Sequence, residues 1–177
     1  QPLKKRIHDL DLSAILPLEP RPIDDIKPEF LSVAQRMIRA RENGSAIIFM
    51  MGAHVLRSGV QHYLVDLMER GFLQCIAMNG AGIIHDYEFA LIGQTTESVA
   101  RYIRKGEFGL WKETGEINDI INSAYRADPE IGMGQAVGNA IEKGDFPHRD
   151  ISILAAASRL DIPVTVHVGI GYDIIHE

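Results

Sequence analysis

The sequence predicts an α/β protein in which a parallel sheet carries helices on both faces and follows an extended N-terminal arm. Three short apolar runs of strand length each end in a glycine-containing turn, and helical patterns alternate with these runs along the chain. Five of the eight prolines fall within the first 28 residues, where they prevent a continuous helix. The 177 residues therefore divide into an arm over residues 1–28 and a domain over residues 29–177.

The first predicted helix follows the arm. Apolar residues recur at helical spacing from Pro28 onwards, and Asn43-Gly44 supplies a stop signal. Residues 46–51 then form an unbroken apolar run. Such a run is typical of a strand that is buried on both faces of a sheet.

The same succession of elements occurs a second time. Residues 60–68 show a helical pattern that Gly71 closes at the expected cap position. Residues 75–78 form the next short apolar run, which leads into the turn Asn79-Gly80-Ala81-Gly82. We expect a further helix to begin near Ile83.

Three helical patterns in the middle of the chain predict a helical insertion; they cover residues 96–105, 116–125 and 135–143. An alanine-rich helix over residues 152–160 follows, with Asp150 or Ser152 as its N-cap. The β-branched run over residues 164–168 predicts the third strand, which continues into a turn with two glycines.

The charge balance limits the classes of ligand. The chain has 18 Lys and Arg against 24 Asp and Glu, a formal net charge of −6. This charge argues against a nucleic-acid partner and favours a small cationic amine as substrate. The single cysteine suits a reducing compartment, and no apolar run reaches the roughly 20 residues of a membrane-spanning helix. We therefore predict a cytoplasmic protein without a membrane partner.

Polar side chains gather where the predicted strands end, at the edge where parallel sheets bind their ligands. They are His54, Asn79, His85, Asp86, His167, Asp173 and His176. The glycines beside them would let backbone N–H groups approach the phosphates of a dinucleotide. Such a site would be non-standard, because His85 occupies the third glycine position of the usual G-x-G-x-x-G fingerprint. Two alternatives stay open at this stage. The glycines could serve only as tight turns, and the histidines could bind a metal, although no helical i, i+4 histidine pair is present.

The wording of several segments resembles one family. His54-Val55-Leu56-Arg57-Ser58-Gly59, Asn79-Gly80-Ala81-Gly82-Ile83-Ile84-His85-Asp86 and Gly171-Tyr172-Asp173-Ile174-Ile175 are similar to deoxyhypusine synthase, in particular to its prokaryotic deoxyhypusine synthase-like branch. The resemblance implies a Rossmann-like fold, a homotetramer and an NAD-dependent aminobutyl transferase that acts on spermidine or a related polyamine.

The resemblance also implies roles for individual residues. The chemistry of an amine substrate adds the catalytic candidates: Asp86 as an anchor for an ammonium group, and His85 or His167 as the group that takes the proton. The cofactor-binding candidates are His54, Ser58, Asn79, Gly80, Ala81, Gly82, Gly169, Gly171 and Asp173. No residue is assigned to a metal.

The family's imine-forming lysine stands in a Trp-Gly-Lys motif that this sequence lacks, since Trp111-Lys112 has no intervening glycine. We therefore expect that lysine either beyond Glu177 or not at all. Two alternatives to the transferase stay open: a non-catalytic NAD-binding relative, and a metal-dependent amine or amidine hydrolase.

Overall fold

A computed structural model describes residues 1–19 and 26–171. The strands among these residues are β1 (His8–Asp11), β2 (Ile48–Met51), β3 (Cys75–Asn79), β4 (Gln94–Glu97) and β5 (Val164–His167). The α-helices are α1 (Pro28–Glu42), α2 (His54–Arg57), α3 (Gln61–Glu69), α4 (Gly80–Ile92), α5 (Val99–Tyr102), α6 (Lys112–Ala127), α7 (Met133–Lys143) and α8 (Ile153–Arg159). None of the described helices is long and apolar enough to cross a bilayer.

The three predicted strands form one parallel sheet in the order β2-β3-β5. Helices separate β2 from β3 and β3 from β5 along the chain, as parallel pairing requires. The predicted Rossmann-like α/β fold is therefore confirmed. Because the strands are parallel, their carboxyl ends lie at the same edge of the sheet.

The two faces of this sheet differ in their surroundings. The register places Phe49, Ile76 and Val164 on one face, which packs against the helices α3, α4, α7 and α8 in the hydrophobic core. The opposite face carries Met50 and Thr165, and Met50 is 79% exposed. The edge strand β2 is thus covered on one face within the described residues, and the predicted burial of this strand on both faces is wrong there.

The helix α7 belongs to the core. Its side chains Val137 and Ile141 are fully buried, and the helix packs against α8 and β5. The prediction of a helical insertion is wrong for this segment. Two small residues allow the close approach, since a Cβ at Gly134 would lie 2.2 Å from the Val164 carbonyl oxygen and one at Gly138 would lie 2.6 Å from the Leu154 oxygen.

Replacing Gly134 with alanine is expected to lower the free energy of unfolding by about 1–3 kcal/mol, because the new methyl group overlaps a backbone atom that cannot rotate away. The matched control is Gly115→Ala in α6, where a Cβ meets nothing within 4 Å. This control is expected to gain about 0.5–1 kcal/mol from higher helix propensity. Urea unfolding of both variants measures the contrast, and equal effects would contradict the packing argument.

The N-terminal segment supplies one strand of a second, two-stranded sheet. The strand β1 pairs antiparallel with β4, with His8 opposite Glu97 and Leu10 opposite Thr95. The predicted helix over residues 96–105 therefore begins too early, because Thr96 lies in β4 and the helix α5 starts at Val99. The residues of β4 pair with residues of β1 that lie almost 90 positions earlier in the chain. A pattern of neighbouring residues cannot reveal such a pairing.

Candidate functional site

The carboxyl edge of the parallel sheet gathers the predicted loops. Asn79 at the end of β3 is in register with His167 at the end of β5. A Cβ at Gly52, directly after β2, would lie 4.0 Å from the Asn79 side-chain nitrogen. The ends of all three strands are therefore neighbours, as the sequence predicts.

The helix α4 starts without a loop at this edge. Asn79 is its N-cap, and the Asn79 side-chain oxygen accepts a hydrogen bond from the Gly82 N–H at 3.2 Å. The predicted glycine turn is thus the first helical turn, and the helix begins at Gly80 instead of Ile83. A Cβ at Gly82 would lie 2.7 Å from the Met78 sulfur, so the missing side chain lets α4 pack directly onto β3.

A cavity of about 310 Å³ opens beside this helix start. It is lined by Arg57, Asn79, Ala81, Ile84, His85, Glu88, Thr96, Glu97, Val99, Phe108 and Trp111. Three of the predicted site residues line it, namely Asn79, Ala81 and His85. Its volume corresponds to roughly ten water molecules and lies at the lower end of the range for small-molecule sites.

A chain of hydrogen bonds fixes His85 in the wall of this cavity. Its Nδ1 lies 2.6 Å from the Thr95 hydroxyl oxygen, and the same hydroxyl donates to a carboxylate oxygen of Glu88. The single proton of Thr95 is used on Glu88, so Thr95 must accept from His85. The imidazole therefore carries its proton on Nδ1 and its lone pair on Nε2.

Several polar atoms at the cavity lack a hydrogen-bond partner among the described residues. They are Nε of Arg57, Oγ1 of Thr96 and Nε1 of Trp111. Trp111 is only 3% exposed, and Thr96 has a φ of 62°, which is rare for a β-branched residue. Buried polar groups without a partner and strained backbone both destabilise a fold. They are found most often at functional sites, where the same groups serve binding or catalysis.

Two charged residues of the cavity wall differ in whether they form an ion pair. Glu97 is neutralised by Arg6, whose Nη2 lies 2.6 Å from its carboxylate, with both side chains at least 97% buried. Arg57 takes part in none of the ion pairs within the described residues. One of its guanidinium nitrogens, Nη1, lies 3.2 Å from Nε2 of His54. Among the described residues, the cavity wall thus contains a cation without a carboxylate counter-ion.

Asp86 does not face this cavity. It is 1% exposed, and its oxygens accept from the Ser152 hydroxyl at 2.5 Å and from the N–H groups of Ile153 and Leu154 at 3.0 and 3.1 Å. Burial raises the pKa of the Asp86 carboxyl from 3.8 to about 6, and the three hydrogen bonds partly offset this rise. The geometry favours a structural role, holding the start of α8, over the predicted catalytic one.

The other predicted residues lie around the edge, outside the cavity wall. His54 is exposed at the start of α2, and the Ser58 hydroxyl donates to the Val55 carbonyl at 2.6 Å. His167 is exposed, with Nε2 3.1 Å from the Thr165 hydroxyl. Gly169 and Gly171 follow β5, and Asp173 lies outside the described residues together with His176.

Within residues 1–19 and 26–171, no group of three or more His, Cys, Asp and Glu side chains could hold a metal ion.

Sequence reasoning missed most of the cavity wall. Glu88 carried a usable signal, because it stands three positions after His85 and therefore shares a face of a helix. No such signal marked Arg57 at the end of α2 or Trp111 directly before α6, nor Thr95 of β4, which bonds to His85, because these segments meet only in the folded chain.

The comparison with protein families gives one match. Residues 31–128 match the model described as arginine dihydrolase ArgZ-like, C-terminal, Rossmann fold. This match covers more than half of the chain, from α1 to the end of α6. No curated protein matches the sequence.

Solved structures with the same fold include three relevant proteins. Apo ArgZ, an arginine dihydrolase from the ornithine-ammonia cycle in cyanobacteria, has a TM-score of 0.53 at 23% identity over 86% of this chain and 20% of ArgZ. A ternary complex of AgrE with ornithine and NAD+ has a TM-score of 0.50 at 17% identity, over 87% of this chain and 21% of AgrE. A conserved LOR/SDH protein from Methanococcus maripaludis S2 has a TM-score of 0.51 at 22% identity, over 88% of this chain and 45% of that one.

These likenesses show the fold, and the chain spans about a fifth of the length of ArgZ and AgrE. The resemblance to deoxyhypusine synthase is wrong, and so is the aminobutyl transfer from spermidine that it implied. In this chain the sequence Asn79-Gly80-Ala81-Gly82, which carried the resemblance, has a geometric explanation: Asn79 caps α4, and Gly82 allows the helix to pack against Met78. The chain belongs to the family of ArgZ-like C-terminal domains with a Rossmann fold.

Proposed function

We propose that this chain is an NAD+-binding domain that holds the dinucleotide at the carboxyl edge of its parallel sheet. The observation that carries the proposal is the start of α4, which opens at this edge directly after β3 with three small residues, Gly80, Ala81 and Gly82. The N–H groups of a first helical turn have no partner within the helix and attract anions. The NAD+ in the AgrE complex supports this choice of dinucleotide.

The residues at this edge fit such a ligand. Gly52 is exposed beside Asn79, so the loop after β2 leaves space next to the helix start. The pyrophosphate would lie against the amides of Gly80 and Ala81, and the Asn79 side chain would keep that turn in place through its bond to Gly82. Bound NAD+ supplies a hydride acceptor.

The proposal has a consequence for the class of enzyme that contains this domain. A domain of this kind would serve an enzyme that oxidises a small substrate, and the ornithine in the AgrE complex suggests an amino acid. A homo-oligomer, a cationic amine substrate and a cytoplasmic location stay predictions.

Calorimetric titration of the full chain with NAD+ tests the proposal. Replacing Ala81 with Asp places a carboxylate at the expected pyrophosphate position and should weaken NAD+ binding about tenfold to a hundredfold. An acidic residue in the first turn is favourable for the helix itself, so this variant should fold normally. The matched control is Gln135→Asp, which adds the same charge to the exposed first turn of α7. Absent NAD+ binding, or equal weakening in both variants, would overturn the proposal.

A further inference from the structure

We propose that α1 joins two copies of this chain as an antiparallel helix pair around a twofold axis. One stripe of the helix and its N-cap would make the contact. This α1 stripe consists of Lys27, Leu31, Ala34, Ile38 and Glu42. The inference goes beyond the proposed function, since α1 supplies none of the residues described at the carboxyl edge of the sheet.

The helix α1 leaves its apolar side chains uncovered. None of its 15 residues is buried, and Phe30, Leu31 and Ile38 are between 46% and 67% exposed. Single apolar residues are common on protein surfaces, but a group of them on one helix marks an interaction site. An isolated helix of this length is only marginally stable in water. A partner that covers these side chains would therefore stabilise α1.

The residues of α1 divide between three sides of the helix, because successive residues turn by about 100°. Met37 and Ala40 are half-buried and mark the side towards the domain, where Met37 packs against the core. A polar side contains Ser32, Arg36 and Arg39. The α1 stripe follows the helical spacing and lies roughly 120° around the helix from the domain side. The stripe is therefore turned away from the chain's own core and is free to contact a partner.

The charges of the α1 stripe favour a second copy as this partner. Lys27 begins the stripe and Glu42 ends it, and neither takes part in the ion pairs within the described residues. Leu31 and Ile38 have the same midpoint in the sequence as Lys27 and Glu42. An antiparallel copy centred on that midpoint places Lys27 beside Glu42 of the second copy and Leu31 beside its Ile38. The twofold axis repeats both contacts, so the stripe is complementary to itself.

The size of the contact sets the strength of the dimer. The 15 residues of α1 span about 22 Å. Ala34 lies next to the axis, where a small side chain lets the two helices approach closely. A single helix pair buries less than the roughly 800 Å² per partner of a standard interface. We therefore expect a reversible dimer with a Kd of about 1–100 μM.

Sedimentation velocity of the full chain, from well below to well above this concentration range and without NAD+, tests the dimer. Ile38→Glu should weaken association at least tenfold, because it places a carboxylate in the centre of the contact. The matched control is Ile103→Glu, which makes the same change at an exposed isoleucine directly after α5 and should leave association unchanged. A wild-type chain that stays monomeric, or a dimer that persists in Ile38→Glu, would overturn the proposal.

Exchange of the two end charges tests the antiparallel arrangement. Lys27→Glu and Glu42→Lys should each weaken self-association about tenfold, because like charges then meet at both ends of the contact. Both variants should fold, since an acidic residue at a helix start and a basic one at its end are favourable. An equimolar mixture of the two variants should recover the wild-type association, because every end contact then joins opposite charges. A mixture that associates no better than the single variants would overturn the antiparallel pair.

Discussion

Replacement of Asp86 with alanine is expected to lower the free energy of unfolding by about 3 kcal/mol at pH 7. The change removes the acceptor of three buried donors, the Ser152 hydroxyl and the N–H groups of Ile153 and Leu154. Each buried donor without a partner costs about 1–3 kcal/mol, and partial rearrangement reduces the sum. Urea unfolding measures the effect. The matched control is Asp11→Ala, which removes a similar cap from an exposed turn and should have a much smaller effect.

The same variant should show a characteristic pH dependence. Burial raises the pKa of Asp86 to about 6, above its ordinary value of 3.8, so the folded chain binds this proton more tightly than the unfolded chain. Protonation of Asp86 therefore adds stability as the pH falls through 6, and the contribution is complete below 3.8. The alanine variant lacks this gain, so its cost should rise by about 1.4 kcal/mol between pH 7 and pH 5. A cost that is the same at both pH values would contradict the raised pKa.

The position of Asp86 on α4 also explains why its predicted place beside His85 in the functional site is wrong. Successive residues on a helix point about 100° apart, so His85 and Asp86 cannot face the same cavity. His85 faces β4 and the cavity, whereas Asp86 faces the start of α8. The two residues were grouped because both follow the same strand end, which is a statement about the backbone and not about side chains.

The elements that local patterns determine were predicted well. The apolar run at residues 75–78 became the central strand. Of the two predicted N-caps for α8, Ser152 is the one observed, and its hydroxyl oxygen accepts from the Ala155 N–H at 3.0 Å. The strand β4 was missed because its pairing with β1 joins segments almost 90 residues apart. The exposure of β2 was missed because an edge strand and a central strand can share the same apolar composition.

The cavity could be predicted only in part for the same reason. Asn79, Ala81 and His85 follow a strand that a pattern identifies, and the carboxyl ends of parallel strands are where ligands bind. Arg57 and Trp111 reach the cavity, and Thr95 reaches His85, only through tertiary packing. The resemblance to a known family did not replace this information, because it rested on the residues that cap α4 and pack it against β3.

Replacement of Arg6 with methionine is expected to lower the free energy of unfolding by about 3–5 kcal/mol, because it leaves the Glu97 carboxylate buried without its counter-charge. Arg6 also donates to the Glu107 carbonyl and lies 3.8 Å from the centroid of the Tyr102 ring. The matched control is Arg70→Met directly after α3, where the solvent-exposed pair with Asp66 should contribute less than about 1 kcal/mol. Thermal or urea unfolding separates the two variants.

A second substitution identifies the cause of the loss. Glu97→Gln removes the charge but keeps an acceptor for the Gly109 N–H, with which Glu97 also forms a hydrogen bond. The double variant Arg6→Met/Glu97→Gln should therefore recover about 2 kcal/mol relative to Arg6→Met alone. If the double variant is as unstable as the single one, the loss comes from packing and from the Glu107 contact, and not from the unpaired charge.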